Sequence, residues 1–439
     1  MQSVLILGAG LVAGPLVRYL LNVKGFRVTV ATRTVDKAEK LIGGAKNGTA
    51  VALDVEDRAA LEALVAQHDL SISLLPYVHH PLVAQFCVKH KKQMVTTSYV
   101  KDTMRALDGA ARDAGVILLN EIGVDPGIDH MSAMQVIHHI SDEGGTLVGF
   151  TSNTGGLPAP EANTNPMGYK FSWAPRGVVL AGKNSARFLK DGKVVDVPGP
   201  ELFAHHWNCA IAGFGDLEVY PNRDSLPYIE TYGIPTVTSM FRGTLRYPGW
   251  CNTLKAIVDL GILDETSRTD LAGLTFAQWT GRLLGLQGSA TPRDLARRLG
   301  VAESAKPVTD LVWLGLVSND PLPKEATTYL DVLAQRMLAK MQYAPGERDL
   351  LVMQHEFVVR RAGRTEKTLS TLVDYGIPNG DTSMSRLVGL PAAIAARMIL
   401  QGEIHLTGVQ IPTVPAVYEP VLEELATMGV CFKEATTSV

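Results

Sequence analysis

The sequence predicts an α/β protein, with a doubly wound parallel sheet, a mixed α+β domain and a helical insert. Three observations support this class. Short apolar runs alternate with longer amphipathic stretches over residues 1–125, which is the pattern of βαβ units. The character changes after Asp125-Pro126-Gly127, and apolar residues take a helical spacing over about 249–345. A chain of 439 residues has room for two or three such domains.

In the first domain, residues 1–125, six strands alternate with five helices. Right-handed crossovers place such helices on both faces of the sheet, so six strands complete a doubly wound domain. The predicted strands are 3–7, 27–31, 49–53, 70–74, 93–96 and 116–119. The predicted helices begin near Leu11, Val35, Arg58, Pro81 and Thr103.

A second, substrate-binding domain is predicted over 126–248 and about 346–384, where strands and turns indicate a mixed or antiparallel sheet. The helical insert, about 249–345, interrupts it. The stretch 383–400 is rich in alanine and leucine, and it predicts a closing helix. We expect the segment of about 385–439 to pack back on the first domain or on a partner subunit.

Composition excludes several classes of partner. The net charge is −3 and charges of both signs are scattered, which argues against nucleic acid or an anionic membrane. The four cysteines form no CxxC or Cys/His cluster, so neither a disulfide framework nor a metal site is expected. The first apolar run is too short for a signal peptide. We expect a cytoplasmic enzyme of small, soluble substrates.

A GxGxxA turn joins the first predicted strand to the first helix. Gly8 permits the tight turn, Gly10 lets the backbone approach a pyrophosphate, and Ala13 allows close packing of helix on strand. The amides of Leu11 and Val12 open the helix, where an anion is stabilised. A glycine-rich turn without a ligand is the alternative, but the position of the turn in a six-strand α/β pattern favours a Rossmann-like dinucleotide site.

The end of the second strand predicts which dinucleotide binds. An NAD site usually has an acidic residue there, whereas this strand ends Thr32-Arg33-Thr34. Arg33 suits a bidentate contact with a 2′-phosphate, so NADP is favoured over NAD. An ordinary exposed arginine is the alternative. Asp54, after the third strand, either lies near the adenine or caps a helix.

Segments that follow the fourth, fifth and sixth strands are predicted to meet a ligand, because ligands bind beyond the carboxyl ends of such strands. Ser98 and Tyr99 can donate hydrogen bonds to a carboxylate. Asp125 can bind an ammonium group. A cap or turn role explains each of them equally well.

Two later segments, 220–224 and 241–247, combine arginines with aromatic residues, glycine and proline. Arginines in such turns are good clamps for carboxylates. Ordinary salt bridges are an equal alternative.

Taken together, these segments resemble the saccharopine reductase and saccharopine dehydrogenase family. The longest one reads Asn120-Glu121-Ile122-Gly123-Val124-Asp125-Pro126-Gly127-Ile128-Asp129-His130. The others are 72–77, 95–99, 155–161, 169–173, 220–224, 242–247, 346–349 and 387–391.

The resemblance implies site residues, and it implies a homodimer. Asp125 and Tyr99 would lie at the reacting centre. The substrate carboxylates and amines would be held by Ser98, Tyr99, Asp125, Arg223, Thr244, Leu245 and Arg246. The cofactor would be contacted by Leu75, Ile122, Val124, Asp125 and Trp173, besides the glycine turn and the second strand.

The implied reaction joins glutamate to aminoadipate semialdehyde as an imine and reduces it to saccharopine with NADPH. The amine formed carries its own titratable proton, so no dedicated acid-base residue is required. The sequence departs from the family at Thr154, where a cysteine is common, and any mechanism that needs that thiol is in doubt. The alternatives are an NAD-linked catabolic enzyme, a carboxynorspermidine dehydrogenase relative, and a dinucleotide-binding regulator without catalysis.

Overall fold

The computed structural model describes residues 1–172 and 175–438 and divides into two compact units. The first unit is Met1–Gly144 with Gly380–Phe432, and the second is Gly145–Asn379 with Lys433–Val439. The sequence ended the first domain at residue 125, whereas the first unit continues through the helix Ile128–Asp142. That helix packs on the C-terminal helix Pro415–Thr427 of the same unit.

The strands and helices of the described chain follow the predicted alternation in the first unit and mix in the second. The strands are β1 (Gln2–Leu7), β2 (Phe26–Thr32), β3 (Gly48–Ala52), β4 (Leu70–Ser73), β5 (Gln93–Thr96), β6 (Ile117–Leu119), β7 (Thr146–Pro158), β8 (Ala186–Lys190), β9 (Lys193–Val197), β10 (Trp207–Ile211), β11 (Gly215–Pro221), β12 (Ser239–Arg246), β13 (Asp349–Arg361), β14 (Arg364–Tyr375), β15 (Gly408–Gln410) and β16 (Lys433–Ser438). The helices are α1 (Ala13–Asn22), α2 (Val35–Ile42), α3 (Arg58–Gln67), α4 (His80–Lys89), α5 (Asp102–Arg105), α6 (Asp108–Ala114), α7 (Ile128–Asp142), α8 (Pro175–Leu180), α9 (Pro227–Thr231), α10 (Trp250–Asp259), α11 (Phe276–Leu283), α12 (Pro292–Leu299), α13 (Lys306–Leu314), α14 (Tyr329–Lys340), α15 (Ser383–Gln401) and α16 (Pro415–Thr427).

The first unit is built on a parallel sheet with the order β15-β6-β5-β4-β1-β2-β3. The six predicted strands are all present in this order, which confirms the doubly wound fold. From β1 the strand order runs to one side through β2 and β3, and from β4 it runs to the other side through β5 and β6. Ligands bind at such a topological switch point. The sequence did not predict β15, because three residues are too few to show a period. It pairs with β6 in parallel.

The second unit is built on a mixed sheet with the path β10-β11-β12-β7-β13-β14-β16, and β8 and β9 lie beside β12. The central strand β7 pairs in parallel with β12 and antiparallel with β13. The segment 241–247 was predicted as an arginine-bearing turn, and this was wrong: most of it is β12, buried between β11 and β7. Arg242 and Arg246 therefore project from a strand.

Helices α10 to α14 share one apolar core with this sheet. Trp250, Leu254 and Trp279 are fully buried in the same cluster as Leu157 and Leu245 from β7 and β12. The helical segment predicted over about 249–345 is present, and in the structure it belongs to the second unit.

The predicted closing helix is α15, and it packs on α1 and on the sheet of the first unit. Gly389 makes this packing possible, because a Cβ there would lie 2.9 Å from the carbonyl oxygen of Val12. Among the described residues, α15 is the one helix that is long and apolar enough to cross a bilayer. However, 67% of its most apolar window is buried inside the protein, as in the core helix of a globular fold. After α16 the chain ends in β16, which pairs with β14 in the second unit.

Gly389→Ala is expected to lower the free energy of unfolding by about 1–2 kcal/mol, because the added methyl meets backbone of α1. Gly109→Ala, in α6, is the matched control. A Cβ there meets nothing within 4 Å, so this helical glycine should gain about 0.5–1 kcal/mol on replacement. Urea unfolding of both variants checks this. Equal effects of the two would contradict the packing argument.

Candidate active site

The turn between β1 and α1 is shaped to receive an anion. Gly8 has a φ of +109°, which favours glycine, and its amide donates to the carbonyl of Ala31 over 2.9 Å. A Cβ on Gly10 would meet no protein atom within 4 Å, so packing does not require glycine there and room is left beside the backbone. Helix α1 has no side-chain cap and no acidic residue in its first turn. The amide of Ala13 donates to the carbonyl of Gly10 over 3.2 Å, but no side chain competes with a phosphate for the other amides at this helix start.

The carboxyl end of β2 offers a cation without a partner. Arg33 is exposed and makes no hydrogen bond or ion pair within the described residues. Thr34 precedes α2 but its side chain makes no capping bond, and Thr32 is half-buried. The donors fit a 2′-phosphate, and the end of the strand, Thr32-Arg33-Thr34, has no carboxylate for a ribose hydroxyl. The cradle of the turn and these donors together fit NADP.

Asp54 is not the cap of α3. Its carboxylate accepts a hydrogen bond from the amide of Glu56 over 3.1 Å, whereas Asp57 caps the helix through the amide of Ala60 over 3.0 Å. Of the two explanations offered by the sequence, the helix cap is therefore wrong for Asp54.

The predicted cofactor contacts differ in exposure. Leu11 is 71% exposed beside the glycine turn, and Val12 and Leu75 are half-buried. Ile122 and Val124 follow β6 and are buried. The predicted contact Trp173 lies outside the described residues.

Ser98 and Tyr99 follow β5, and both side chains are half-buried. The hydroxyl of Tyr99 donates to Oδ1 of Asp125 over 2.9 Å. In this structure the hydroxyl proton of Tyr99 is directed to Asp125, and the role of Tyr99 toward a substrate carboxylate stays a prediction. The pair presents oxygen lone pairs, which suit an ammonium or amine donor.

Glu121 anchors the loop after β5 through hydrogen bonds, and the sequence had not indicated this residue as part of the site. Glu121 has a φ of +57° and is 7% exposed. One carboxylate oxygen accepts from the amide of Val100 over 2.8 Å, and the other lies 2.8 Å from Nε2 of His130. Its own amide donates to the carbonyl of Ser98 over 3.2 Å. A buried carboxylate with several partners holds a loop firmly, because breaking any one of them leaves a desolvated charge.

His80, at the start of α4, is the second residue that sequence reasoning missed. It is 4% exposed, and its ring nitrogens lie 2.8 Å from the hydroxyls of Ser73 and Ser98. Burial lowers the pKa of His80 to about 4, and nearby His79 adds to this effect. The imidazole is therefore neutral near pH 7. The available signal was the pair His79-His80 in the segment between the fourth strand and the next helix.

The turn that carries Asp125 depends on Gly127. Its φ is +146°, and a Cβ there would lie 2.1 Å from the carbonyl oxygen of Gly123. The amide of Gly127 donates to Oδ1 of Asp129 over 2.6 Å. No larger residue fits this position, so the backbone around Asp125 is fixed.

In the second unit Arg246 is a buried cation that lacks a counter-ion. It is 5% exposed, and its guanidinium lies 5.0 Å from the ring centre of Tyr169. Within the described residues no carboxylate lies within 4 Å of it, and its Nε has no hydrogen-bond partner. Glu218, opposite on β11, instead accepts from the amides of Gly249 and Cys251. An unpaired buried charge is costly, so Arg246 is prepared for an anionic ligand.

The other predicted residues of this unit differ in position. Arg223 lies in the turn after β11 with a φ of +58°, and it is exposed. Thr244 is half-buried on β12, while the side chain of Leu245 is packed in the core. Thr154, at the position of the family cysteine, has a buried hydroxyl with no partner among the described atoms.

These features define a class. A parallel sheet with a phosphate-binding turn, a free cation for a 2′-phosphate and a polar loop at the switch point is the architecture of an NADP-dependent α/β oxidoreductase. Among the described residues no group of three His, Cys, Asp or Glu side chains could hold a metal ion.

The chain belongs to the saccharopine dehydrogenase family. Residues 4–119 match the saccharopine dehydrogenase NADP binding domain, and residues 123–430 match the saccharopine dehydrogenase C-terminal domain. The family resemblance and the NADP prediction are thereby confirmed.

Relatives cover the whole chain. The saccharopine dehydrogenase [NADP(+), L-glutamate-forming] of Schizosaccharomyces pombe is 43% identical over 99% of this chain and 99% of its own length. The bovine mitochondrial alpha-aminoadipic semialdehyde synthase is 38% identical over 99% of this chain but only 48% of its own length. The apo structure of saccharopine dehydrogenase (L-Glu forming) from Saccharomyces cerevisiae has a TM-score of 0.92, with 38% identity and full coverage of both chains.

Arg33→Ala is expected to raise the KM for NADP by about 10- to 100-fold, because a charged hydrogen-bonding contact with the 2′-phosphate is lost. The KM for NAD should stay unchanged. Arg27→Ala is the control, since Arg27 is an exposed arginine near the start of the same strand. Initial-rate kinetics with both cofactors measures this, and equal changes for NADP and NAD would contradict the role of Arg33.

The neutral, buried state of His80 should make the fold sensitive to acid. Its folded-state pKa of about 4 lies below the ordinary 6.5, so the unfolded chain takes up the proton first. The stability is complete above about pH 6.5 and is lost as the pH falls towards 4, by up to about 3 kcal/mol. Urea unfolding at pH 7.5 and pH 5 measures it. His80→Gln should lose less stability over this interval, and an identical loss would contradict the assignment.

Proposed function

We propose that this chain is an NADP-dependent saccharopine dehydrogenase of the L-glutamate-forming type, which acts in lysine metabolism. The observation that carries the proposal is that a hydrogen-bond donor and a pair of acceptors lie in the segments that follow β5 and β6. Ser98 offers a hydroxyl, while Tyr99 and Asp125 form an acceptor pair 2.9 Å apart. A donor beside an acceptor matches the carboxylate and amine of an amino acid, and the phosphate-binding turn of the same sheet holds the cofactor.

The reaction converts saccharopine, NADP⁺ and water to L-glutamate, 2-aminoadipate 6-semialdehyde, NADPH and a proton. NADP supplies the hydride acceptor when it is bound. A hydride leaves the carbon next to the amine nitrogen, the resulting imine takes up water, and the C–N bond breaks. The nitrogen keeps the electron pair of that bond and leaves as the amine of glutamate. Asp125, with Tyr99 as its hydrogen-bond donor, would accept a hydrogen bond from the reacting amine and orient it.

The arginines of the second unit support a substrate with several carboxylates. Arg246 is a buried guanidinium with no carboxylate partner in the described part of the chain, and this is the chemistry that a carboxylate completes. Arg223 offers a second, exposed guanidinium. Thr154 has no thiol, so proton transfer in this chain proceeds without a cysteine at that position.

We further infer that the protein is cytoplasmic and homodimeric. The free cysteines Cys87, Cys209, Cys251 and Cys431 are compatible with a reducing compartment, and the dimer is inferred from the family resemblance. Light scattering of the purified protein and fractionation of cells test these two points.

The direct test is the initial rate of NADPH formation with saccharopine, compared with NAD as cofactor. Strong NADP-linked turnover is the expected result. The reverse reaction, from glutamate and 2-aminoadipate 6-semialdehyde with NADPH, should run as well. Absence of turnover in both directions would overturn the proposed substrate, and faster turnover with NAD would overturn the cofactor argument.

Removal of an arginine in the second unit should weaken saccharopine binding selectively. Arg246→Ala is expected to raise the KM for saccharopine by about 10- to 100-fold, and exposed Arg223→Ala by less, with the KM for NADP unchanged. Arg293→Ala is the control, because Arg293 lies on α12 and pairs with Glu303 on the surface. Steady-state kinetics checks this, and an unaltered saccharopine KM in Arg246→Ala would exclude the role.

A further inference from the structure

His80 and its neighbours form a network of hydrogen bonds that ends at Ser98. Nδ1 of His80 lies 2.8 Å from the hydroxyl of Ser73, and Nε2 lies 2.8 Å from the hydroxyl of Ser98. Thr96 is a third neighbour, with its hydroxyl 3.2 Å from Nε2. Ser73, Thr96 and His80 are buried, whereas Ser98 is half-buried at the carboxyl edge of the sheet. This series of hydrogen bonds therefore runs from buried Ser73 and His80 to Ser98, the residue proposed to bind the substrate.

The hydroxyl of Thr96 determines which ring nitrogen of His80 carries the proton. It donates to the carbonyl of Ser73 over 2.9 Å, so it faces Nε2 with a lone pair. A neutral imidazole has one N–H, and a bare Nε2 would place lone pair against lone pair at 3.2 Å. The proton is therefore on Nε2, and Nδ1 accepts from the hydroxyl of Ser73.

This tautomer decides what Ser98 offers to a ligand. With the proton on Nε2, His80 donates to the oxygen of Ser98, and the hydroxyl proton of Ser98 is left to be donated outward. With the proton on Nδ1, the hydroxyl of Ser98 would donate its proton to Nε2 of His80 and would present only lone pairs to a ligand. The first state suits a carboxylate and the second suits an ammonium group.

We propose that His80 is a positioning residue that holds Ser98 as a hydrogen-bond donor for a carboxylate of the substrate. The inference rests on the proposed function for the identity of the ligand, but the tautomer itself does not. His80 does not touch the substrate. It acts through Ser98, in the same loop that Glu121 pins, so donor and acceptor groups keep fixed roles on neighbouring residues.

The tautomer is tested first, by long-range ¹H–¹⁵N correlation spectra of protein labelled with ¹⁵N-histidine at pH 7.5. His80→Gln identifies the signals of His80 by their loss. A protonated Nε2 and a bare Nδ1 are expected. A protonated Nδ1 would overturn the proposal, and neither result depends on catalytic activity.

Kinetics then tests whether His80 acts through Ser98. His80→Leu should raise the KM for saccharopine roughly tenfold with the KM for NADP unchanged, because the hydroxyl is no longer held. His80→Gln places an amide N–H near the position of Nε2 and should restore most of the affinity. His90→Gln is the control, because His90 lies at the other end of α4 and its half-buried ring pairs with Glu62.

The double variant separates positioning from a general structural effect. In a Ser98→Ala background, His80→Leu should cause no further rise in the saccharopine KM. An equal rise with and without the Ser98 hydroxyl, or an equal rise in both KM values, would overturn the proposal. If His80→Leu does not fold, His80→Gln and the spectra still decide it. A wild-type protein without saccharopine turnover would instead refute the proposed function and leave the tautomer result standing.

Discussion

Parallel pairing of the strands in the first unit is the constraint on which the site depends. Because β1 to β6 all run in one direction, their carboxyl ends meet at one edge of the sheet. Gly8, Arg33, Ser98 and Glu121 each follow a different strand, and this topology alone brings them to that edge. The reversal of strand order between β1 and β4 opens the crevice there. An antiparallel arrangement would have divided the same residues between two edges.

Buried polar side chains turn this edge into a site with fixed hydrogen-bonding directions. His80 is neutral because burial lowers its pKa to about 4, and Glu121 is held by His130 and by the amide of Val100. Desolvation makes each of these groups costly to leave unpaired. The loop that carries Ser98 and Tyr99 is thus held by hydrogen bonds to the buried side chains of His80 and Glu121.

The second unit differs from the first in that it keeps a cation, the guanidinium of Arg246, buried. Arg246 lies over the ring of Tyr169, and its stem is held in β12. The carboxylate nearest in register, Glu218, accepts hydrogen bonds from the start of α10. The amides at the start of α10 therefore keep a potential counter-ion occupied, and the guanidinium of Arg246 retains its capacity for an anion.

The sequence by itself determined the six strands of the first sheet, the glycine turn and the closing helix α15, because each rests on a local period or on glycine at a fixed spacing. It also placed Ser98, Asp125 and Arg246 among the candidates. Only the tertiary structure showed that Tyr99 donates to Asp125, that His80 supports Ser98, and that the arginines at 242 and 246 lie on a strand. The partner of a polar side chain is set by residues distant in the chain, and no local pattern records which hydroxyl or carboxylate the fold will bring within 3 Å.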